Sequence, residues 1–352
     1  MEKYRLIILI LSSITLNLHA GTSNTESYFL IERIEKDAYA IPLIKSENNP
    51  EIASKINQVI QMSLVYNLYD IVGKEKLFDK MINEDGYSGT TSLDYNILLN
   101  SASVLSIEFN DETLTAYPDY HTSYLNFNST TGDIIDLNEL LSNDGISHLN
   151  DLASGIYNQK VKSLYNESIY DYSTDESQKK DFVESIFDLT KCNATNKIWK
   201  FGITSNTLIV EKDRCFPHAM QAFDIGWNCQ IKIDDLYKSD FSTYGHNLLK
   251  EMVSDNSMHY IDKVNNMTLH GKIDNKYPFC MYLRLNSDNS IGGLYWYSKK
   301  GVLIDFSGTK TSNNKIELTE KGGKFKLDLQ ENGSISGDWI NSGGKLFSIK
   351  FE

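Results

Sequence analysis

Proline is scarce in this sequence, with 5 in 352 residues, while tyrosine numbers 21. That balance excludes a disordered, linker-like chain. Tyr and Thr suit strands, and the abundant Asn and Ser suit turns, so the composition points to a globular protein rich in β structure. Long apolar runs are missing after the first twenty residues, which excludes a later transmembrane helix, because a span needs roughly 20 apolar residues. Basic charge is in deficit: 34 Lys and Arg stand against 47 Asp and Glu, a net of −13. The deficit is uneven. From residue 265 to the end there are 12 basic and 9 acidic residues, so all the excess acid lies earlier. Such a field repels nucleic acid and anionic lipid and attracts cationic proteins.

Catalytic signatures are absent as well. The chain has no Gly-x-Ser-x-Gly elbow, phosphate-cradling glycine loop or His-Glu-x-x-His helix. His121, His148, His218, His246, His259 and His270 are scattered without ligand spacing, and no Cys-x-x-Cys pair is present, so neither a metal nor another cofactor is expected. The balance leans away from an enzyme. The enzymatic alternative is an envelope glycan hydrolase or esterase with dispersed carboxylates, because the separation of such a pair is set by the fold.

What is present begins with an export signal. Lys3 and Arg5 give a positive start, Leu6 to Leu16 form an apolar run, and Leu18-His19-Ala20 ends on a small residue. This is the three-part pattern of a secretory signal peptide over residues 1–20, with cleavage expected after Ala20. The mature chain is then periplasmic or secreted, with no membrane insertion. Four cysteines follow, Cys192, Cys215, Cys229 and Cys280. An even number in an oxidising compartment favours two disulfides, with three connectivities open. Cys215 and Cys229 bracket a loop between two expected strands, which makes them candidate neighbours.

Periodicity divides the remainder in two. Residues 28–44 read as a strand or strand pair. Asn49-Pro50 opens a helix carrying Ile52, Ile56, Val59, Ile60 and Leu64 at helical spacing. Leu105, Ile107 and Phe109 alternate with polar residues, as do Leu125 and Phe127, and Thr131-Gly132-Asp133 signals a turn. Helical patterns follow from Asp136 to Ile156 and from Ser177 to Leu189. Alternation returns at Trp199, Phe201 and Ile203, at Leu208 and Val210, and at Ile231 and Ile233. From Leu269 onward, eight short apolar stretches are punctuated by turns such as Lys321-Gly322-Gly323 and Ser342-Gly343-Gly344. Eight such strands can close into a barrel. The expected architecture is an α+β N-terminal domain over residues 28–245, a linker over 246–265 and an all-β antiparallel eight-stranded barrel over 266–352.

Three clusters stand out as possible sites. Tyr117, Asp119, Tyr120, His121 and Tyr124 form an aromatic and polar group suited to binding a protein or glycan, because tyrosine gives large contact area at low entropic cost. Arg214 to His218, with Asp224 and Trp227, reads as a structural loop in which His218 and Asp224 can share a hydrogen bond. Tyr295-Trp296-Tyr297 with Trp339 belongs to the barrel core or its mouth.

Together these landmarks resemble the PdaC/RsiV-type extracytoplasmic domain. The resemblance runs through Val104 to Phe109, the Tyr/His cluster, Tyr124 to Phe127, Thr131 to Leu141, Leu208 to Val210, Phe216-Pro217-His218-Ala219 and Asp234-Asp235-Leu236. It covers residues 28–245, and of the family's His-bearing loop only His121 carries over. The tail resembles small β-barrel modules of envelope proteins. The resemblance implies an α+β domain attached to the envelope or secreted. With the acid excess and the missing catalytic signatures, the expected role is an envelope-binding protein that engages a cationic lysozyme-like wall hydrolase, as an inhibitor or immunity protein, or binds peptidoglycan. A structural or assembly factor is the remaining alternative.

Overall fold

The computed structural model of the chain describes residues 28–82, 89–114, 118–171, 198–212, 228–250, 267–286, 289–298, 302–312, 314–330 and 334–351. The expected leader, the helix over Ser177 to Leu189, the cluster from Arg214 to Trp227, Cys192 and Cys215 lie outside them.

A hairpin of β1 (Leu30–Lys36) and β2 (Tyr39–Lys45) opens the N-terminal domain, and α1 (Pro50–Leu64) follows with proline in its first turn. Asn49 does not cap α1 through its side chain. Its amide donates instead to the Tyr28 hydroxyl at 3.2 Å. Two single-turn helices, α2 (Tyr69–Val72) and α3 (Asp79–Ile82), lead to three long strands, β3 (Thr90–Asn100), β4 (Val104–Leu114) and β5 (Pro118–Asn128). The sheet order is β1-β2-β3-β4-β5, antiparallel except for a short parallel contact at Tyr39 and Leu93. Ala53, Ile56, Val59 and Ile60 of α1 are buried against this sheet, packed with Leu105, Ile107, Phe109 and Phe127. Apolar spacing at i, i+3, i+4 and i+7 puts these helix residues on one stripe, and period two puts the strand residues on one face. Gly132, at φ +72°, makes the turn after β5. Lys55 of α1 ties that turn down, with Nζ 2.6 Å from Asp133 Oδ1.

The opposite face of the sheet is also covered. α4 (Leu137–Leu140) has an Asp136/Glu139 capping box. α5 (Asn143–Asp171), the sheet β6 (Ile198–Ile203), β7 (Thr207–Lys212) and β8 (Asn228–Lys232), and α6 (Thr243–Leu249) complete this layer. Val104, Leu149, Tyr157, Leu208, Val210 and Leu248 belong to its core. β4 therefore buries both faces over its first half, and from Asn110 onward its residues are half-buried or exposed. The expected linker starts later than residue 246: Leu248 and Leu249 are buried in this core, because α6 presents an apolar face that only the domain interior can cover.

The C-terminal unit is a closed eight-stranded antiparallel barrel, as expected. It runs from β9 (Met267–Ile273) through β10 (Tyr277–Leu285), β11 (Ser290–Tyr297), β12 (Leu303–Ser312), β13 (Lys315–Glu320), β14 (Gly323–Leu329) and β15 (Ile335–Asn341) to β16 (Leu346–Phe351), which pairs back onto β9. Phe279, Met281, Tyr295, Ile316, Leu318 and Phe325 fill the interior. The outer wall meets the N-terminal domain: Cys280, Tyr282, Leu294 and Trp296 pack on Met62 and Leu68. Trp296 thus points out of the barrel into this contact. His270 Nε2 lies 3.1 Å from Gln58 Oε1, and Arg284 donates to the Tyr66 hydroxyl at 3.2 Å.

Cys229 and Cys280 are buried free thiols. No disulfide joins these two residues to each other, and Cys192 and Cys215 lie outside the described residues. Cys229 faces the core beneath α5 and Cys280 the contact between the two units, where each packs as a small apolar side chain. Burial pushes the Cys229 thiol up to about 11. Alkylation without reductant should label both residues only after unfolding, read by peptide mass spectrometry; failure of either to label in denaturant would mean that it is disulfide-bonded. Phe127→Ala should cost about 3–5 kcal/mol in urea unfolding through loss of burial and the cavity left behind.

Candidate functional site

β4 and β5 form a hairpin whose two halves have different surroundings. The inner half, Val104 to Phe109 against Ser123 to Asn128, sits between the two cores. In the outer half, Asn110 to Leu114 against Pro118 to Thr122, the residues Asn110 to Leu114 and Asp119 to Thr122 are half-buried or exposed. Side chains alternate along it, so the candidate residues fall on two faces.

One face carries Asp119 and His121, with His121 Nε2 3.3 Å from Asp119 Oδ2. The structure adds two residues that were not singled out in the sequence. Thr113 Oγ1 is 3.4 Å from the same nitrogen, and Asp111 is the cross-strand partner of His121. Burial raises the Asp111 carboxyl above its ordinary value, His121 and Lys200 oppose the shift, and Asp119 reinforces it. Nothing in local sequence marks Asp111, because its pairing with His121 depends on the register of the hairpin.

The other face carries Tyr120 and Leu114, 67 % and 54 % exposed. Tyr120 pairs across the strands with Glu112, whose carboxylate raises the phenol above its usual value. Tyr124 lies further in and is enclosed. Its ring fits over Gly202 of β6, where a Cβ would come within 2.7 Å of it. Burial, with Glu108 and Glu211 nearby, holds its phenol well above the ordinary range. Tyr124 therefore packs between layers while remaining half-buried. Tyr117 lies outside the described residues. The structure thus brings Asp119 and His121 together, places Tyr120 on the reverse face and sets Tyr124 further in, half-buried.

β5 is the edge of its sheet, but that edge is blunted. Lys200 Nζ takes the Thr122 carbonyl at 2.7 Å, and Pro118 offers no N–H. These are ordinary protections against strand addition, so side chains, not an open backbone edge, are what the hairpin offers a ligand.

A second histidine is paired elsewhere. His148 Nδ1 lies 2.7 Å from Asp240 Oδ2, and the Tyr237 ring stacks on the imidazole at 4.8 Å. Asp240 also accepts the Tyr237 N–H at 2.7 Å. The neighbouring Ser142 hydroxyl is directed at the carbonyls of Ser239 and Asp240, at 3.1 and 3.2 Å. These bonds join the start of α5 to the turn before α6, so the arrangement works as a clasp. Among the described residues no three His, Cys, Asp or Glu side chains are grouped to hold a metal ion, and no helix is long and apolar enough to cross a membrane.

No protein-family model matches the chain, and no curated protein matches it. Two solved structures are similar to it. One is a DUF3298 family protein from Pseudomonas aeruginosa PAO1, at 9 % identity and a TM-score of 0.37, covering 61 % of this chain and 94 % of that one. The other is a DUF3298 family member from Bacteroides fragilis NCTC 9343, at 14 % identity and a TM-score of 0.34, covering 64 % and 96 %. Likenesses at this level assign neither a family nor a function.

Asp111 gives a pH test. Its folded-state pKa is raised, so the native state holds the proton more tightly and stability falls as pH rises from the unfolded to the folded value. Asp111→Asn should raise the urea midpoint near neutral pH, and the gain should shrink in acid. An equal gain at both pH values would mean that the effect is not ionic.

Proposed function

We propose that the chain is an exported envelope-binding protein whose acidic N-terminal domain presents the outer half of the β4–β5 hairpin to a cationic protein, a lysozyme-like wall hydrolase, and inhibits it by occlusion. The observation that carries this reading is the hairpin itself: in the part that leaves the core, Asp111 and Asp119 lie on one face, and Glu112 lies on the other beside the exposed ring of Tyr120. A guanidinium or ammonium group meeting those carboxylates gains charge-assisted hydrogen bonds, and the phenol adds apolar contact at small entropic cost. The acid excess ahead of residue 265 steers a basic partner from a distance. The sequence landmarks shared with the PdaC/RsiV-type domain favour the same class of role and a periplasmic or secreted location.

The test is binding of the purified mature chain to a lysozyme, by biolayer interferometry at low and moderate salt, with lytic activity followed in parallel. Saturable binding that weakens with salt and suppresses lysis is the expected result, because exposed charges are screened. The double substitution Asp119→Asn, Tyr120→Ala should weaken it about tenfold or more if these side chains are hot spots. Absence of binding at low salt, or equal binding by the double variant, would remove the hairpin reading.

A further inference from the structure

The barrel holds a separate feature that the hairpin reading does not use. The turns after β9, β11, β13 and β15 all lie at one end of the closed barrel. At that end the inward-facing positions are polar and aromatic. Tyr297 and Trp339 border the interior core, and Phe347 stacks at a tilt on Trp339, with ring centres 5.4 Å apart. Tyr277 is 54 % exposed at the rim.

Glu320 is the inward position after Ile316 and Leu318 on β13. It sits close enough to Tyr295 and Tyr297 that its charge adds to burial in raising both phenols. The Gly322 N–H donates to its Oε2. Its Oε1 is buried and makes no well-formed hydrogen bond among the described residues, although the Tyr295 hydroxyl lies close to the carboxylate, and the Trp339 indole Nε1 is likewise buried without a partner there. That indole nitrogen lies over Gly323, 3.1 Å from where a Cβ would stand, so the glycine leaves it room beside the turn that carries Glu320.

A buried acceptor and a buried donor without partners are each unfavourable. Keeping both on one aromatic collar suits a ligand that supplies a donor and an acceptor together and has an apolar face to lay on the rings. Hydroxyl groups act in both roles. The C–H face of a pyranose supplies the apolar contact, and Tyr and Trp offer a ring with a polar tip. An organic cation fits less well: it would meet Glu320 Oε1 but leave the indole N–H facing positive charge. The 12 basic against 9 acidic residues from position 265 onward add to that disfavour.

We infer that this end of the barrel is a saccharide-binding site, in which a neutral sugar unit stacks on Trp339 and Tyr297, donates a hydroxyl hydrogen to Glu320 and accepts from the Trp339 indole. The interior beneath is filled by Phe279, Tyr295 and Phe325, so the sugar sits in the mouth among the rim rings and takes the place of the contacts that now cover Glu320 Oε1 and Trp339 Nε1. The inference stands apart from the hairpin: each can fail without the other.

The experiment follows the four tryptophan indole N–H resonances of the isotope-labelled mature chain by heteronuclear NMR. The titrants are neutral tetrasaccharides of glucose, N-acetylglucosamine, mannose and galactose, and separately choline chloride, each at millimolar concentration, the range where weak sites are read. Saturable movement of the Trp339 resonance with at least one saccharide, and none with choline, is expected. Glu320→Gln and Trp339→Phe should each weaken that saccharide about tenfold while far-UV circular dichroism is unchanged, which corresponds to one charge-assisted or buried hydrogen bond. A response to choline without any saccharide would make the site a cation site and overturn the inference. So would no movement with any titrant, or full affinity in Glu320→Gln. The wild-type titration stands by itself if Trp339→Phe does not fold.

Discussion

The three-stranded sheet of the N-terminal domain enters the interior by its edge, and Ser106 and Asn126 make that possible. Backbone groups of an edge strand cannot be buried unmatched, because each lost partner costs about as much as a hydrogen bond. The Ser106 hydroxyl donates to Asn126 Oδ1 at 2.7 Å and accepts the Ile203 N–H at 3.0 Å, while the Asn126 amide donates to the Phe201 carbonyl at 2.9 Å. Both side chains are almost fully buried, at 0 % and 3 % exposure. Asn128 adds a fourth bond, to the Tyr244 hydroxyl at 3.1 Å. A fully satisfied polar network of this kind fixes one packing of β6 on β4 and β5, where an apolar face alone would allow several.

The rest of the domain depends on that fixed packing. With β6 held in place, Gly202 receives the ring of Tyr124 and Lys200 reaches the Thr122 carbonyl. The inner half of the hairpin is thereby locked from both sides. The outer half has no such cover, and so its acidic and aromatic side chains are offered to solvent on a rigid base. A binding surface held this way loses little side-chain and backbone freedom when a partner arrives.

The two units carry opposite charge tendencies. The N-terminal domain concentrates acid and presents carboxylates with a phenol. The barrel is slightly basic and gathers aromatic rings around one carboxylate and one indole at a single end. They meet through Met62 and Leu68 against Cys280, Tyr282, Leu294 and Trp296. This contact uses the outward-facing positions of β10 and β11, leaving the inward-facing positions to the barrel core and its mouth.

The sequence by itself determined most of the local structure. The helical spacing of Ile56, Val59 and Ile60, the alternation at Leu105, Ile107 and Phe109, and the turn signals spaced along the last eighty-odd residues correspond to α1, β4 and the barrel strands, because period and punctuation are set by neighbours in the chain. It also showed where the acid lies. Tertiary structure decided which residues meet. Val104 and Ser106 turn out to be buried because a second sheet covers the reverse face of β4. Tyr124 is enclosed for the same reason. Asp111 faces His121, and Glu320 and Trp339 share one barrel end, only through strand register and closure. Those depend on pairings between segments far apart in sequence, and local pattern carries no information about them.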